Sequence, residues 1–191
     1  MRIISGKFKK NKLQTPENNF TRPMTSRVKE DLFNILNNYF IYENKIGLDI
    51  FAGTGQLGLE FLSRGGKKCF LNDKSPLVNK MLITNVANCK AENNACILKK
   101  DYYDALVYLK INHINIDILF LDPPFKEINY YYKILDYIFQ NKIINNFGII
   151  ACESEFPLDF KKYNLVELKI KKYPSKWLYV LRFEEMKHEK K

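Results

Sequence analysis

Gly47-Leu-Asp-Ile-Phe-Ala-Gly-Thr-Gly-Gln-Leu-Gly-Leu-Glu60 is the stretch on which the reading of this 191-residue chain turns. The apolar run from Ile46 to Phe51 predicts a buried strand, which breaks into glycines at positions 53, 55 and 58. Leu57, Leu59, Phe61 and Leu62 then suit a helix packed on a sheet. Strand, glycine loop and helix together cradle nucleotide-like cofactors, because glycine lets backbone amides come close to a ligand. The glycines also satisfy G-x-G-x-x-G, and Asp73 lies 20 residues beyond Gly53, where a ribose-binding acid sits in dinucleotide sites. A dinucleotide site and a different cofactor on a similar scaffold both stay open at this point.

Outward from that stretch, strands and helices alternate. Upstream, residues 2–15 suit a short hairpin or extended arm, Asn18 to Thr25 a loop, and Thr25 or Ser26 the cap of a helix with Val28, Leu32, Phe33, Ile35, Leu36, Tyr39 and Phe40 on one face. Downstream, strands are expected at Lys68–Asp73, Ala95–Leu98, Ile116–Leu121 and Phe147–Glu153. Helices are expected at Pro76–Asn88, from Asp101 through Leu109, and at Tyr130–Asn141. Leu165–Tyr173 and Trp177–Phe183 read as two strands joined at Pro174-Ser175, and Lys187–Lys191 as a frayed tail. The fold class is therefore α/β: a mostly parallel seven-stranded sheet with an antiparallel C-terminal edge and a short basic N-terminal hairpin/helix extension. The expected division is 1–40 for the extension and 41–186 for the sheet domain.

Ligands in such sheets bind beyond the carboxyl ends of the strands. Asp49 to Gly55, Asp73, Asp101 and Asp122 to Phe125 all fall at or just past predicted strand ends, so they converge on one rim. Asp122-Pro123-Pro124-Phe125 is the most informative of these. Two prolines remove two N–H donors and stiffen the turn, leaving the Asp122 and Pro123 carbonyls and the Asp122 carboxylate as acceptors. An acceptor-only pocket suits a group with two N–H donors, such as the exocyclic amine of a base. Phe125 is placed to stack on that base, worth ~1–3 kcal/mol for single-stranded nucleic acid.

Asp49 bears on the cofactor. A carboxylate four residues before Gly53 repels a pyrophosphate, whereas S-adenosylmethionine presents an ammonium and a sulfonium. Opposite charges ~6 Å apart at an effective dielectric constant of 20 attract by about 3 kcal/mol before desolvation. Asp49 also suits a second role, capping the loop by accepting backbone N–H bonds. Asp73 is positioned for ribose hydroxyls and Asp101 for an adenine amine, although Asp104 competes for that role. His113 and His188 belong to no motif.

Composition narrows the partners. Apolar content of 46% and aromatic content of 14% fit a globular protein with a real core, and no apolar run reaches the ~20 residues of a membrane span. Four cysteines (69, 89, 96, 152) lack C-x-x-C spacing, three of them in surroundings typical of buried thiols, and no leader-like apolar stretch is present. A cytoplasmic location is the expectation. The net charge of +10 points to an anionic partner. Residues 1–30 supply most of it, with Arg2, Lys7, Lys9, Lys10, Lys12, Arg22, Arg27 and Lys29 set against Glu17 and Glu30.

The glycine loop with Asp122-Pro-Pro-Phe125 resembles a class I, Rossmann-like, S-adenosylmethionine-dependent methyltransferase acting on an amino nitrogen. Arg2-Ile-Ile-Ser-Gly-Lys7 and Thr21-Arg-Pro-Met-Thr-Ser-Arg-Val-Lys-Glu-Asp-Leu-Phe-Asn-Ile-Leu36 resemble, more narrowly, the bacterial RsmD family. The resemblance runs from Met1 to about Arg182. It implies methylation of a guanine N2 in the helix 31 loop of 16S rRNA, on an assembled or assembling small ribosomal subunit, by a monomeric enzyme. The residues this assigns to the cofactor are Asp49, Phe51, Ala52, Gly53, Thr54, Gly55, Asp73, Lys74, Asp101 and Tyr102. Asp122, Pro123, Pro124 and Phe125 are assigned to catalysis, and Arg2, Lys7, Lys10, Lys12, Arg22 and Arg27 to RNA; no metal ligand is assigned. Two departures stand out. Phe125 replaces the family's usual tyrosine and loses a hydroxyl, and Met24 and Ser26 replace the usual threonine and aspartate. A DNA adenine-N6 or cytosine-N4 methyltransferase uses the same acceptor turn, but 191 residues leave no room for an inserted DNA-recognition domain. A non-catalytic RNA-binding assembly factor is the alternative from another class, and an NAD-dependent oxidoreductase leaves Asp49 and the proline turn without a task.

Overall fold

Helix starts follow local chemistry. In a computed structural model that describes residues 1–16, 25–123 and 128–185, the Thr25 hydroxyl accepts from the Val28 N–H (3.3 Å) and opens α1 (Ser26–Tyr39). Ser75 caps α3 (Pro76–Asn88) with Pro76 in its first turn, and Asp101 caps α4 (Tyr102–Ile111) by accepting from the Tyr103 N–H at 3.1 Å. In contrast, α2 (Gln56–Ser63) follows Gly55 at φ +88° with no side chain of Gly55 to cap it. The fifth helix, α5 (Ile128–Gln140), begins two residues before the expected Tyr130.

The strands are β1 (Ile46–Asp49), β2 (Lys68–Leu71), β3 (Ala95–Ile97), β4 (Ile116–Leu121), β5 (Ile144–Ser154), β6 (Leu165–Tyr173) and β7 (Lys176–Phe183). They form one seven-stranded sheet in the order β3-β2-β1-β4-β5-β7-β6. Pairings among β1 to β5 are parallel, while β7 runs antiparallel to both β5 and β6. This is the Rossmann-like class I methyltransferase fold expected from the sequence. Order reverses between β1 and β4, which places the switch point at the carboxyl ends of those two strands. All six residues of β4 are buried, as a central strand covered on both faces requires.

Two boundaries differ from expectation for identifiable reasons. β5 starts at Ile144, three residues early, because the β4–β5 ladder already forms at Ile116–Ile144 before a register shift. β2 stops at Leu71, short of the expected Asp73: Asn72 keeps main-chain bonds to Asp49 (2.9 Å) and Ala52 (2.7 Å), while its side chain donates to the Ile50 (3.2 Å) and Lys100 (3.0 Å) carbonyls and accepts from the Lys100 N–H (3.0 Å), so regular pairing gives way to the loops.

One apolar layer holds α1, α2 and α3 against the sheet, and the other holds α4 and α5. The N-terminal segment joins the first layer. Its expected hairpin takes the form of an irregular loop closed by a single antiparallel bridge, Arg2 to Lys12, with Ile3, Phe8 and Leu13 buried beneath it. Glu60 of α2, wholly buried, fastens the loop by accepting from the Ile4 (2.8 Å) and Ser5 (3.0 Å) N–H groups, and it pairs with Arg64 (2.9 Å) and Lys29 (3.5 Å). Lys29, one of the eight basic residues counted in this region, is thus an internal cation, with its pKa lowered by burial against the opposing pull of Glu60. Cys69, Cys89 and Cys152 are buried free thiols. No helix among the described residues is long and apolar enough to cross a membrane. Arg22, Pro124, Phe125 and the 187–191 tail lie outside the described residues.

Candidate active site

The rim is organised by Asp49, the last residue of β1. Its side chain is 2% exposed, and Oδ2 accepts from the Gly58 N–H at 3.0 Å. That bond satisfies one of the unpaired amides of the first turn of α2 and fixes the helix start to the strand end. Burial pushes the Asp49 carboxyl up to about 7; the Gly58 N–H works against the shift and the nearby Asp73 charge adds to it. Asp49 therefore does perform the loop-capping role, and it does so poised to ionise beside a positive charge.

Between strand and helix the backbone turns tightly. The Ala52 N–H donates to the Asn72 carbonyl and the Gly55 N–H to the Ala52 carbonyl, both at 2.7 Å. Gly53 and Gly55 both have positive φ (+54° and +88°). A Cβ placed on Gly53 would meet nothing within 4 Å, so the Cα of Gly53 borders open space at the rim. Thr54 is buried, and its carbonyl accepts from Asn85 of α3 (2.9 Å). Asp73 lies across the loop: Oδ2 accepts from the Gly53 N–H (3.1 Å) and Oδ1 from the Ser75 N–H (2.8 Å). Each oxygen keeps a lone pair for a further donor. Lys74 and Asp101 are exposed, and Asp101 is engaged as the α4 cap.

Phe51 and Tyr102 come together as expected, with ring centroids 6.1 Å apart, and a third ring joins them. Tyr130 of α5 lies 5.8 Å from Phe51 and 4.9 Å edge-on to Tyr102. This half-buried aromatic wall beside Asp101, its rings tilted or edge-on to one another, offers apolar surface to an adenine-sized ring. Sequence reasoning placed Tyr130 only as a helix residue. Its contacts with Phe51 and Tyr102 cross 79 and 28 positions, and no local pattern carries that.

On the other side of the switch point, Asp122 is partly exposed and Pro123 buried. Burial, then the charge of Glu153, pushes the Asp122 carboxyl well above the usual range, while Lys176 opposes the shift. Asp49 ends β1 and Asp122 follows its parallel partner β4: Asp49 sits opposite Phe120, Asp122 comes two residues later, and the Asp49 charge acts on the Asp122 carboxyl. The cofactor side and the acceptor turn therefore share one rim of the sheet. Glu153, Lys176 and Tyr131 around Asp122 were not anticipated: strand register brings up the first two, and the packing of α5 on the end of β5 brings up Tyr131.

Among the described residues, the buried side-chain oxygens Gln56 Oε1, Asn79 Oδ1 and Glu153 Oε2 find no hydrogen-bond partner. All three lie around this rim, on the first turns of α2 and α3 and at the end of β5. Buried acceptors left unpaired cost about 1–3 kcal/mol each, so a cluster of them at the sheet's ligand edge suits a donor-rich, cationic guest. With the open Gly53 cradle and the aromatic wall, these residues fit S-adenosylmethionine.

Of the assigned RNA residues, Arg2, Lys7, Lys10, Lys12 and Arg27 are exposed. The arm reaches the rim at Gln14, whose N–H donates to Asn85 Oδ1 at 2.7 Å. The start of α1 is anchored where Asp31 accepts from Lys171 (2.7 Å) and the Tyr173 hydroxyl (2.6 Å), beside the β6–β7 turn.

Comparison with known proteins bears on the family and the fold. The profile of the family described as "Conserved hypothetical protein 95" matches residues 1–182. Ribosomal RNA small subunit methyltransferase D of Escherichia coli is 38% identical over 126 residues, which are 66% of this chain and 61% of that relative. The solved structure of the Escherichia coli yhhF protein superposes with a TM-score of 0.83 at 31% identity, covering 96% of this chain and 98% of that one. The fold alone is shared with an RNA methyltransferase from Salinibacter ruber in complex with S-adenosyl-L-homocysteine (TM-score 0.66, 10% identity, 88% and 98% coverage).

Proposed function

Because this chain belongs to the conserved hypothetical protein 95 family, the RsmD family, we propose that it transfers a methyl group from S-adenosylmethionine to the exocyclic N2 of a guanine in small-subunit ribosomal RNA. The helix 31 loop is the target, on assembled or assembling subunits, and the protein acts as a cytoplasmic monomer. The observation that carries this reading is the shared rim of Asp49 and Asp122, which sets an acidic, glycine-lined cradle beside an acceptor turn.

Asp49, the Phe51–Gly55 backbone, Asp73 and the Phe51–Tyr102–Tyr130 wall would hold S-adenosylmethionine, which supplies an electrophilic methyl group. The chain's own work is on the base. Guanine N2 has its lone pair delocalised into the ring and is a weak nucleophile. Asp122 and the Pro123 carbonyl accept its two N–H bonds, draw the nitrogen toward tetrahedral geometry and hold it for in-line attack. The guanine must leave its stack to reach the turn, with Phe125 as the stacking partner. Lys74, Asp101 and Pro124 complete the assignment. Arg2, Lys7, Lys10, Lys12, Arg22 and Arg27 neutralise phosphates, so RNA affinity falls steeply with salt.

The test is transfer of labelled methyl to small subunits from cells lacking this protein, with the label mapped by nucleotide. Asp122→Ala is expected to abolish transfer while keeping S-adenosylhomocysteine affinity within a few-fold. Label on DNA instead of rRNA, or equal loss of transfer and cofactor binding, contradicts the assignment.

A further inference from the structure

Strand register sets a second carboxyl beside Asp122. In the parallel β4–β5 pair Leu121 lies opposite Cys152, so the next residues, Asp122 and Glu153, follow side by side at the sheet's end. In the antiparallel β5–β7 pair Glu153 lies opposite Leu178, and Lys176, two residues back on the same face, forms an ion pair with Glu153 Oε1. Glu153 is 4% exposed and the Lys176 side chain 11%. Glu153 Oε2, also buried, has no hydrogen-bond partner among the described residues.

A buried ion pair is a costly way to hold two strands together, and it repays its desolvation only when the remaining lone pairs are satisfied. This one leaves an oxygen bare next to a second carboxyl. The other groups that act on Asp122 are Asp49 from β1 and Glu155 just past β5, both raising its proton affinity. Asp122 in turn acts on Cys152 and on Tyr131 of α5, whose hydroxyl donates to the Glu153 backbone carbonyl at 2.5 Å. Tyr173 of β6 feels the Glu153 charge. Lys176 is the cation among the groups acting on Asp122.

Resting on the function proposed above, we infer that Glu153, held by Lys176, is a positioning residue that sets the charge on Asp122 so that Asp122 receives the proton leaving N2. As N2 attacks, the N–C bond forms and the C–S bond breaks with its electron pair on sulfur. The positively charged nitrogen then loses one N–H proton to the Asp122 carboxylate and keeps that bond's electron pair. The products are the N2-methylated guanine, a neutral thioether and a protonated Asp122, which returns its proton to solvent. Glu153 beside it strengthens the acceptor, and Lys176 limits how far.

The experiment compares single-turnover transfer to small subunits from pH 5.5 to 9 for wild type, Glu153→Gln and Lys176→Met. Titration of the Asp122 carboxyl by carbon-13 NMR, without RNA, provides a readout independent of activity. Removing the Glu153 charge is expected to move both the acid limb and the Asp122 titration down by about one pH unit, and removing Lys176 to move them up. A loss of rate by the same factor at every pH, with Asp122 titrating as in wild type, overturns the inference, as do shifts in one direction for both variants. If wild type transfers no methyl to rRNA, the function proposed above fails first; the carboxyl titrations then decide separately whether Glu153 governs Asp122.

Discussion

Asn85 Nδ2, in the last turn of α3, donates to the carbonyl oxygen of Thr54 in the glycine loop at 2.9 Å. The same amide donates to the Gln14 carbonyl (3.0 Å) and its Oδ1 accepts from the Gln14 N–H (2.7 Å). One fully buried side chain therefore ties the basic arm to the loop assigned to the cofactor. Asn85→Ala leaves the buried Thr54 carbonyl without its partner, at about 1–3 kcal/mol, and hands both groups of the exposed Gln14 back to solvent at a smaller cost. The expected loss of stability is about 2–4 kcal/mol in urea unfolding. At a temperature where both proteins are folded, S-adenosylhomocysteine affinity should fall several-fold. Unchanged unfolding midpoints would show that water replaces these bonds at no cost.

Glu60 should be the least replaceable side chain of the N-terminal attachment. It accepts from Ile4, Ser5 and Arg64 and neutralises Lys29, all within the core. Glu60→Gln turns one acceptor into a donor facing donors and leaves buried Lys29 without its counter-charge. Breaking one partner of a buried pair costs about 3–5 kcal/mol. Limited proteolysis should then cut within residues 1–16 well before the sheet domain opens. Cleavage rates equal to wild type would contradict this.

The glycines of the motif divide into two kinds, and substitution separates them. Gly53 has φ +54° and nothing within 4 Å of an added Cβ, whereas a Cβ on Gly58 would lie 2.1 Å from Leu71 Cδ2 and 3.0 Å from Cys69 Sγ. Gly53→Ala should cost about 1 kcal/mol for the left-handed backbone and lower cofactor affinity at least tenfold, because the methyl stands where the ligand approaches. Gly58→Ala should cost about 1–3 kcal/mol through overpacking, with affinity falling only as folding does. Wild-type cofactor affinity in Gly53→Ala would remove the loop from the binding site.

What was legible in the sequence was whatever is local. The strand–glycine–helix unit, the N-cap at Thr25 and the place of Asp122 just past β4 are all read within a few residues, and each lies at the expected strand or helix end. The groups that set the site's electrostatics and shape were not legible, because their partners are far away in the chain. Glu153 reaches Asp122 only through the β4–β5 register, Asn85 meets Gln14 across 71 positions, and Lys29 meets Glu60 across 31. Lys29 is the clearest case: in sequence it is one more cation in a basic arm, and in the fold it is 1% exposed. Asp49 was legible as an acid before the glycines, but its double role, amide cap and ionisable wall, required the 3.0 Å bond to Gly58.

That double role gives a pH dependence with a definite sign. Asp49 has its carboxyl raised to about 7 in the fold, mainly by burial, against about 3.9 in an unfolded chain. Between those values the native state binds more protons than the unfolded state. Stability without ligand should therefore decline as pH climbs from about 4 toward 7, then level off. Binding of a cationic ligand runs the other way, since it needs the ionised form: about one-tenth of molecules at pH 6 and about nine-tenths at pH 8. S-adenosylmethionine affinity should thus rise about tenfold across that interval in calorimetry. Asp49→Asn should flatten the profile at the weak end and remove the downward slope in stability. A wild-type affinity that does not change between pH 6 and 8 would mean that Asp49 serves only to hold Gly58, and that the ligand's positive charge is met elsewhere on the rim.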